Sequence, residues 1–232
     1  MAYTYPQNMR STRDLLRRRM YLMHQRSQLI THIQNTNAQY NMEPFGKKIA
    51  YKNNRKDIAE LFSDSMVRKS IDVDVKLLDT YDKLITNIEL QILRKARQHN
   101  PISLHLLRTI PGIGQVLALV ILYEVHDIHR FPKVGNFISY CRLVKDMRES
   151  AGKKSASRNS KIGNVHLKWA FSEAAFLFLR DNEPAKKYHE RLVSKYGKAK
   201  ALSIIAQKIG RSVYSMLKRK EPFDINKFFD KK

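Results

Sequence analysis

The chain of 232 residues is long enough for one large domain or two small ones, and 43% hydrophobic residues exclude wholesale disorder. Its 44 lysines and arginines against 21 aspartates and glutamates give a net charge of +23, which favours nucleic acid as partner over the other basic classes, ribosomal-type proteins and membrane-surface binders. No apolar run nears the roughly 18 residues of a membrane span, and no signal-peptide core opens the chain. The single cysteine, Cys141, excludes an internal disulfide and a zinc site, and it suits a reducing cytoplasm.

The first hundred residues predict two long helices joined by a polar segment. Residues 1–6 suggest the end of a strand that leads into a turn, and Ser11 or Thr12 is a candidate N-cap for a helix ending near Asn35 or Tyr40. Residues 41–70 predict a loop with one short helix at 57–62. Both helices carry apolar residues at heptad spacing, which predicts an antiparallel coiled-coil arm or a dimerising one. The heptad residues are Leu15, Leu16, Leu22, Met23, Leu29 and Ile30, then Ile71, Leu78, Ile85 and Ile92.

Two charge patterns in this arm admit both a structural and a functional interpretation. The first helix opens with five arginines, which form either a solvated face or a stripe that contacts phosphates. These are Arg10, Arg13, Arg17, Arg18 and Arg19. Asp72 and Asp74 resemble a metal-binding pair, but no other carboxylate pattern accompanies them, so a charge pair at a helix N-terminus is favoured.

Asn100 and Pro101 end the second long helix, and the rest of the chain predicts a compact region without a clear alternating strand. Its candidate helices are 103–109, 114–125, 133–143, 162–180, 184–195 and 198–218. The predicted fold class is therefore mainly all-α, with an extended helical arm followed by a globular helical domain.

Within that domain, Pro111, Gly112, Ile113 and Gly114 precede an apolar helix and form the pattern of a helix-hairpin-helix. The glycines permit a tight turn and close backbone approach, so that amides at the next helix N-terminus can hold a DNA phosphate. The alternative is an ordinary turn between helices. Base-excision glycosylases carry similar turns, but their catalytic Asp and Lys positions are not matched here.

A basic loop rich in serine and glycine follows. Residues 142–168 contain eight lysines and arginines and only two acids. Small residues alternate with the cations, which permits close contact with phosphates. The alternative is a flexible basic loop in which the serines have no chemical role.

The chain resembles the bridge-RNA-guided insertion-sequence recombinases, the insertion-sequence one-ten family, to which the pilin gene invertases are related. The resemblance rests on Ser-x-Gly-Lys at 150–153 and Lys-x-Gly-Asn-x-x-Leu at 161–167, and on the arginine helix after Tyr5-Pro6. It extends to the Pro-Gly-Ile-Gly turn, to Arg130-Phe131 and to the tail at 206–223, so it covers nearly the whole chain.

This resemblance implies a transposase that binds DNA and cleaves and exchanges strands with a serine nucleophile. The serine that aligns with the family nucleophile is Ser150, and Ser155, Ser157 and Ser160 are its competitors. The expected nucleic-acid contacts are Pro111, Gly112, Ile113, Gly114, Gly152, Lys153, Lys154, Arg158, Lys161, Gly163, Arg13, Arg17, Arg18 and Arg19.

The resemblance also implies an N-terminal RuvC-like domain whose four carboxylates hold Mg²⁺. No such carboxylate set precedes the arginine helix, so residues 1–100 are interpreted as the end of the RuvC-like linker plus the arm, and residues 101–232 as the transposase domain. The expectation is a truncated or split product that binds no cofactor or metal itself and is inactive alone. The implied partners are DNA, a bridge-type guide RNA and further copies of the chain, as a dimer or tetramer, in a prokaryotic cytoplasm at the nucleoid.

Two other functions share much of this argument. The first is a non-catalytic DNA- or RNA-binding module built from the turn, the basic loop and the arm. The second is a basic structural RNA-binding protein. Replacement of Ser150 by alanine abolishes strand transfer in the transposase, when the missing half is supplied, and changes nothing measurable in the binding module. Replacement of Gly112 or Gly114 has no effect on DNA binding if the chain is a structural RNA-binding protein.

Overall fold

The computed structural model describes residues 3–144, 147–150, 153–156 and 162–230, with the two four-residue segments described for their backbone alone. These ranges contain nine α-helices and one pair of strands. The helices are α1 Gln7–Gln39, α2 Ser65–His99, α3 Pro101–Arg108, α4 Gln115–Val125, α5 Val134–Tyr140, α6 Val165–Phe178, α7 Glu183–Tyr196, α8 Lys198–Arg219 and α9 Ile225–Phe229. The strands are β1 Met147–Ser150 and β2 Lys153–Ala156. The predicted mainly all-α fold is confirmed.

The antiparallel hairpin of β1 and β2 departs from the expectation of helices throughout the second region. Met147 lies opposite Ala156 and Ser150 opposite Lys153. The segment has no apolar residues at helical spacing that could pack a helix against the core. Pairing between strands therefore satisfies its backbone groups instead.

The chain forms two compact units. One contains the start of the chain through Met9 together with the residues from Lys95 onward, and we call it the helical body. The other is Arg10–Arg94, and we call it the arm.

In the arm, α1 and α2 run antiparallel, because polar side-chain contacts join progressively later residues of α1 to earlier residues of α2. Arg19 pairs with Glu89 at 2.7 Å, Arg26 with Asp82 at 2.6 Å and His32 with Asp74 at 2.6 Å. The α2 heptad residues Ile71, Leu78, Ile85 and Ile92 are all buried. Apolar burial and charge pairing thus specify the same alignment.

The connector between the arm helices, residues 40–64, is folded onto them. It forms short 3-10 turns at Lys52–Asn54 and Ala59–Leu61, and its Ile49, Ile58 and Phe62 join one apolar core with Ile33 and Ile71. The predicted short helix at 57–62 is therefore a single 3-10 turn.

Two expectations for the N-terminal residues were wrong. Residues 3–6 form no strand, and α1 begins directly after Pro6, so Ser11 and Thr12 lie inside the helix rather than at its cap. Tyr5 and Met9 are buried. The Tyr5 hydroxyl donates to the Tyr123 carbonyl at 2.8 Å, which indicates that packing against the body sets the helix start.

The helical body is built around α4, α6 and α8. Helix α4 is buried from Leu117 to Val125, and α8 packs against α3, α5, α6 and α7. Asn100 accepts from the Ser103 amide and caps α3, with Pro101 in its first turn, so the predicted break after α2 is confirmed. The six predicted body helices end within three residues of those observed, and α9 was not predicted. None of the described helices is long and apolar enough to cross a membrane.

Candidate nucleic-acid interface

The Pro-Gly-Ile-Gly turn joins α3 to α4, and its two glycines have different surroundings. Gly112 has a φ of +84°, and a Cβ there would lie 2.6 Å from the Phe178 backbone nitrogen at the end of α6. Gly114 is exposed, and a Cβ added there would meet nothing within 4 Å. Gly112 therefore serves close packing within the body, and Gly114 leaves open space at the start of α4.

The N-terminus of α4 keeps the features that an anion site requires. Gly114 supplies no side-chain cap, and the first turn of α4 carries no acid. Pro111 is partly exposed beside it, whereas Ile113 is buried and anchors the turn. No side chain at the N-cap therefore occupies the first-turn amides of α4, and phosphate binding by this turn stays a prediction.

The basic loop is held at its base by two facing backbone segments, residues 140–144 and 162–164, which we call the neck. The Asn164 amide donates to the Tyr140 carbonyl at 2.7 Å, and Arg142 Nε donates to the Ile162 carbonyl at 2.9 Å. Gly163 has a φ of +93°, and a Cβ there would lie 2.7 Å from the Tyr140 carbonyl oxygen. Close backbone approach therefore accounts for the glycine at 163, and a phosphate contact by Gly163 stays a prediction.

Asn164 connects the neck to the buried core. Its Oδ1 caps α6 by accepting from the His166 and Leu167 amides at 2.9 and 3.1 Å. Its Nδ2 donates to Oε2 of Glu124 at 2.7 Å, and Glu124 is 3% exposed on α4. One side chain thus fixes the start of α6 and satisfies a buried carboxylate.

Asn164→Ala is expected to lower the free energy of unfolding of the helical body by about 2–4 kcal/mol. The loss of the cap contributes about 1 kcal/mol and the lost hydrogen bond to a buried carboxylate about 1–3 kcal/mol. Urea denaturation followed by the fluorescence of Trp169, the single tryptophan, measures the change.

Asn182→Ala is the matched control, because Asn182 is also buried and caps α7 through the Ala185 amide. The Asn182 Nδ2 is buried without a hydrogen-bond partner among the described residues, so this variant loses only the cap. Equal losses for the two variants would show that the Asn164–Glu124 bond contributes nothing.

Arg130 contacts the neck at Tyr140, and sequence reasoning did not assign it to the site. Its guanidinium carbon lies 4.2 Å from the ring centre of Tyr3, 4.4 Å from that of Phe131 and 4.6 Å from that of Tyr140. The cation joins the N-terminal residues to the neck by stacking. Phe131 and Tyr140 are close to Arg130 in sequence, but Tyr3 lies 127 positions away, so the local sequence gave no sign that the three rings surround one cation.

The structure describes only part of the predicted serine site. Ser150 is the last residue of β1, and Lys153 and Lys154 begin β2, but their side chains are not described. Ser155 also lies in β2. Gly152, Ser157, Arg158, Ser160 and Lys161 lie outside the described residues.

The arginines of α1 do not form one uniform free stripe. Arg19 forms an ion pair with Glu89, and Arg13 lies 3.5 Å from Asp14. Arg18 is exposed, with its guanidinium carbon 4.9 Å from the ring centre of Tyr21. The sequence alone did not separate the arginine that stabilises the arm from its exposed neighbour.

Other titratable groups have structural roles. Burial raises the pKa of the Cys141 thiol far above its usual range, which removes it as a nucleophile at neutral pH. A hydrogen bond from Lys76 lowers the pKa of Asp72, and Asp74 pairs with His32. Among the described residues, no three His, Cys, Asp or Glu side chains gather in a group that could hold a metal ion.

Comparison with known proteins relates the chain to transposases. Residues 104–190 match the transposase IS116/IS110/IS902 family. The chain is also 29% identical over 120 residues to the transposase for insertion sequence element IS1111A of Coxiella burnetii. That alignment covers 50% of this chain and 33% of the relative, so the chain spans about a third of the relative's length. The family match includes the α3–α4 turn, the neck and the whole basic loop.

Proposed function

Because residues 104–190 match the transposase IS116/IS110/IS902 family, we propose that this chain binds DNA and supplies the serine nucleophile for transposition of an insertion sequence. The proposal assigns residues 101–232 to the transposase domain and residues 1–100 to the linker and arm. The observation that carries it is that the family match spans the serine loop and both sides of the neck.

In the proposed reaction, Ser150 Oγ attacks a backbone phosphorus and loses its proton to a base. The new O–P bond forms as one phosphodiester O–P bond breaks, and the leaving deoxyribose oxygen takes up a proton. A DNA hydroxyl later attacks the phosphoserine and releases the serine, so the number of phosphoester bonds is conserved. Lysines and arginines of the basic loop, which include Lys153, Lys154, Arg158 and Lys161, neutralise phosphate charge during both steps.

The neck supports this proposal on physical grounds. A nucleophile must be held close to its attack geometry, and a long free loop would lose that advantage. Hydrogen bonds from Asn164 to Tyr140 and from Arg142 to Ile162 join the two ends of the basic loop. The buried Glu124–Asn164 bond fixes the neck against α4.

The family implies Mg²⁺ in a RuvC-like domain. Among the described residues, no three His, Cys, Asp or Glu side chains form a group that could hold the ion, so no step above is assigned to Mg²⁺. We propose that a carboxylate-bearing domain, a bridge-type guide RNA and further copies of the chain complete the active assembly.

Ser150→Ala is expected to abolish formation of a covalent DNA–protein adduct while it leaves DNA affinity unchanged. The assay mixes the purified chain, labelled insertion-sequence end DNA, Mg²⁺ and a RuvC-like domain supplied as a separate polypeptide. Adducts are resolved on a denaturing gel, and affinity is measured by fluorescence anisotropy.

Ser155→Ala, Ser157→Ala and Ser160→Ala are controls from the same loop and should each retain the adduct. Adduct formation by Ser150→Ala, or loss in one of the three controls instead, contradicts the assignment of Ser150. DNA binding without any adduct from the unaltered chain contradicts the catalytic proposal and leaves the non-catalytic binding module as the function.

A further inference from the structure

Helix α7 carries a row of cations that the sequence analysis did not assign to a function. Lys187, Arg191 and Lys195 are spaced four residues apart, so they share one face of α7 with a rise of about 6 Å between successive positions. All three side chains are exposed. Lys198 and Lys200, also exposed, continue the positive surface beyond Gly197 into α8. We call these five residues the elbow row.

Within the part of the chain that the structure describes, the elbow row has no ion-pair partner. Among the described residues, none of its five members lies within 4.0 Å of a carboxylate, whereas the neighbouring Lys186 pairs with Glu183 at 2.6 Å. Glu190 lies beside the row but makes no such pair. Like charges four residues apart on a helix repel one another, and a bound anion would relieve this repulsion.

Aromatic rings hold some of these cations in place. Tyr196 is 39% exposed, with Lys195 Nζ 5.2 Å and Lys200 Nζ 4.7 Å from its ring centre. The guanidinium carbon of Arg191 lies 5.7 Å from the ring centre of Tyr188. An open cavity of about 560 Å³ lies beside the row, lined by Pro184, Lys187, Glu190, Arg191 and Phe229. Preordered cations lose less conformational entropy when they contact a ligand.

We propose that the elbow row binds the phosphate backbone of duplex DNA, as a contact surface separate from the serine loop. The choice of DNA rests on the proposed function, while the charge pattern rests on α7 and α8 alone. Three cations on one face of α7, with two more at the start of α8, suit sequence-independent contacts to the phosphates of a duplex, which fix position without reading bases. Four of its five members lie beyond the segment that matches the family.

The test replaces the three α7 cations together, as Lys187→Gln, Arg191→Gln and Lys195→Gln. Affinity for a short labelled duplex is measured by fluorescence anisotropy between about 50 and 200 mM salt. Each lost phosphate contact should reduce the magnitude of the slope of log affinity against log salt by about 0.9. The magnitude of the slope should therefore be about 2–3 smaller for the triple variant than for the unaltered chain.

The control removes the same charge from another exposed helical face, as Lys69→Gln, Lys76→Gln and Lys83→Gln on α2. A second variant, with Lys187→Arg, Arg191→Lys and Lys195→Arg, keeps the charge and should keep the slope. The proposal is overturned if the α7 and α2 neutral variants show equal slopes of log affinity against log salt. It is also overturned if the α7 variant loses affinity for hairpin RNA but not for duplex DNA. If the unaltered chain does not bind duplex DNA, the proposed function is overturned as well. If the chain binds duplex DNA and the α7 substitutions do not change that binding, only this inference is overturned.

Discussion

Gly112→Ala is expected to lower the free energy of unfolding of the helical body by about 2–5 kcal/mol. An alanine at a φ of +84° costs about 1–2 kcal/mol, and its methyl group would lie 2.6 Å from the Phe178 backbone nitrogen and 2.8 Å from the Leu177 carbonyl carbon. Backbone of α6 cannot move as a flexible side chain does, and such overpacking adds about 1–3 kcal/mol. Urea denaturation monitored by Trp169 fluorescence measures the loss.

Gly114→Ala makes the same change two residues later and serves as its control. Gly114 has a φ of −76°, and a Cβ there meets open space, so the free energy of unfolding should change by less than about 1 kcal/mol. The same variant tests the predicted phosphate contact, because a methyl group at the start of α4 should weaken duplex DNA binding without loss of stability. Similar destabilisation by the two alanines would contradict the packing role of Gly112.

Arg55→Ala is expected to destabilise the arm by about 2–4 kcal/mol, because the variant removes a buried guanidinium that hydrogen bonds to two partly exposed carboxylates and two backbone carbonyls. Arg55 is 3% exposed and lies 2.7 Å from Asp79 and 2.8 Å from Asp82. Its guanidinium also donates to the carbonyls of Ile49 and Ala50, at 2.8 and 2.9 Å. Removal of the side chain leaves these acceptors short of a donor and releases the connector from α2.

Circular dichroism during urea denaturation measures this loss, and limited proteolysis should show new cleavage within residues 40–64. Lys56→Ala, at the exposed neighbouring position, should change neither measurement. The Asp82 carboxyl contacts both Arg26 and Arg55, so the variant also tests which arginine holds it. Burial opposes its ionisation, but hydrogen bonds from Arg26 and Arg55 outweigh burial and lower its pKa. A normal arm stability in Arg55→Ala would mean that Arg26 alone holds Asp82 and the connector.

The amino-acid sequence by itself determined most of the helices, because periodicity and turn residues are local signals, but it predicted neither the start of α1 nor helix α9. Heptad spacing in α2 predicted the buried residues Ile71, Leu78, Ile85 and Ile92, and Asn100-Pro101 marked the boundary after α2. Apolar runs between turn residues located the six body helices. The net charge of +23 predicted a nucleic-acid partner, and the resemblance of the motifs to the insertion-sequence one-ten family implied the transposase assignment that the comparisons support.

Only the tertiary structure decided which of several similar residues serves which purpose. Arg55 and Arg19 form ion pairs that hold the arm, while Arg18 is exposed, and nothing in their local sequence distinguishes them. Gly112 packs against α6 and Gly114 does not, although both belong to one four-residue motif.

The same holds for the neck. The Glu124–Asn164 bond joins residues 40 positions apart, and Arg130 meets Tyr3 across 127 positions. Helical periodicity and turn chemistry act over a few residues, so they carry no information about partners at such separations. Those partners are chosen when the helices pack, because burial then requires each polar group and each close backbone contact to be satisfied.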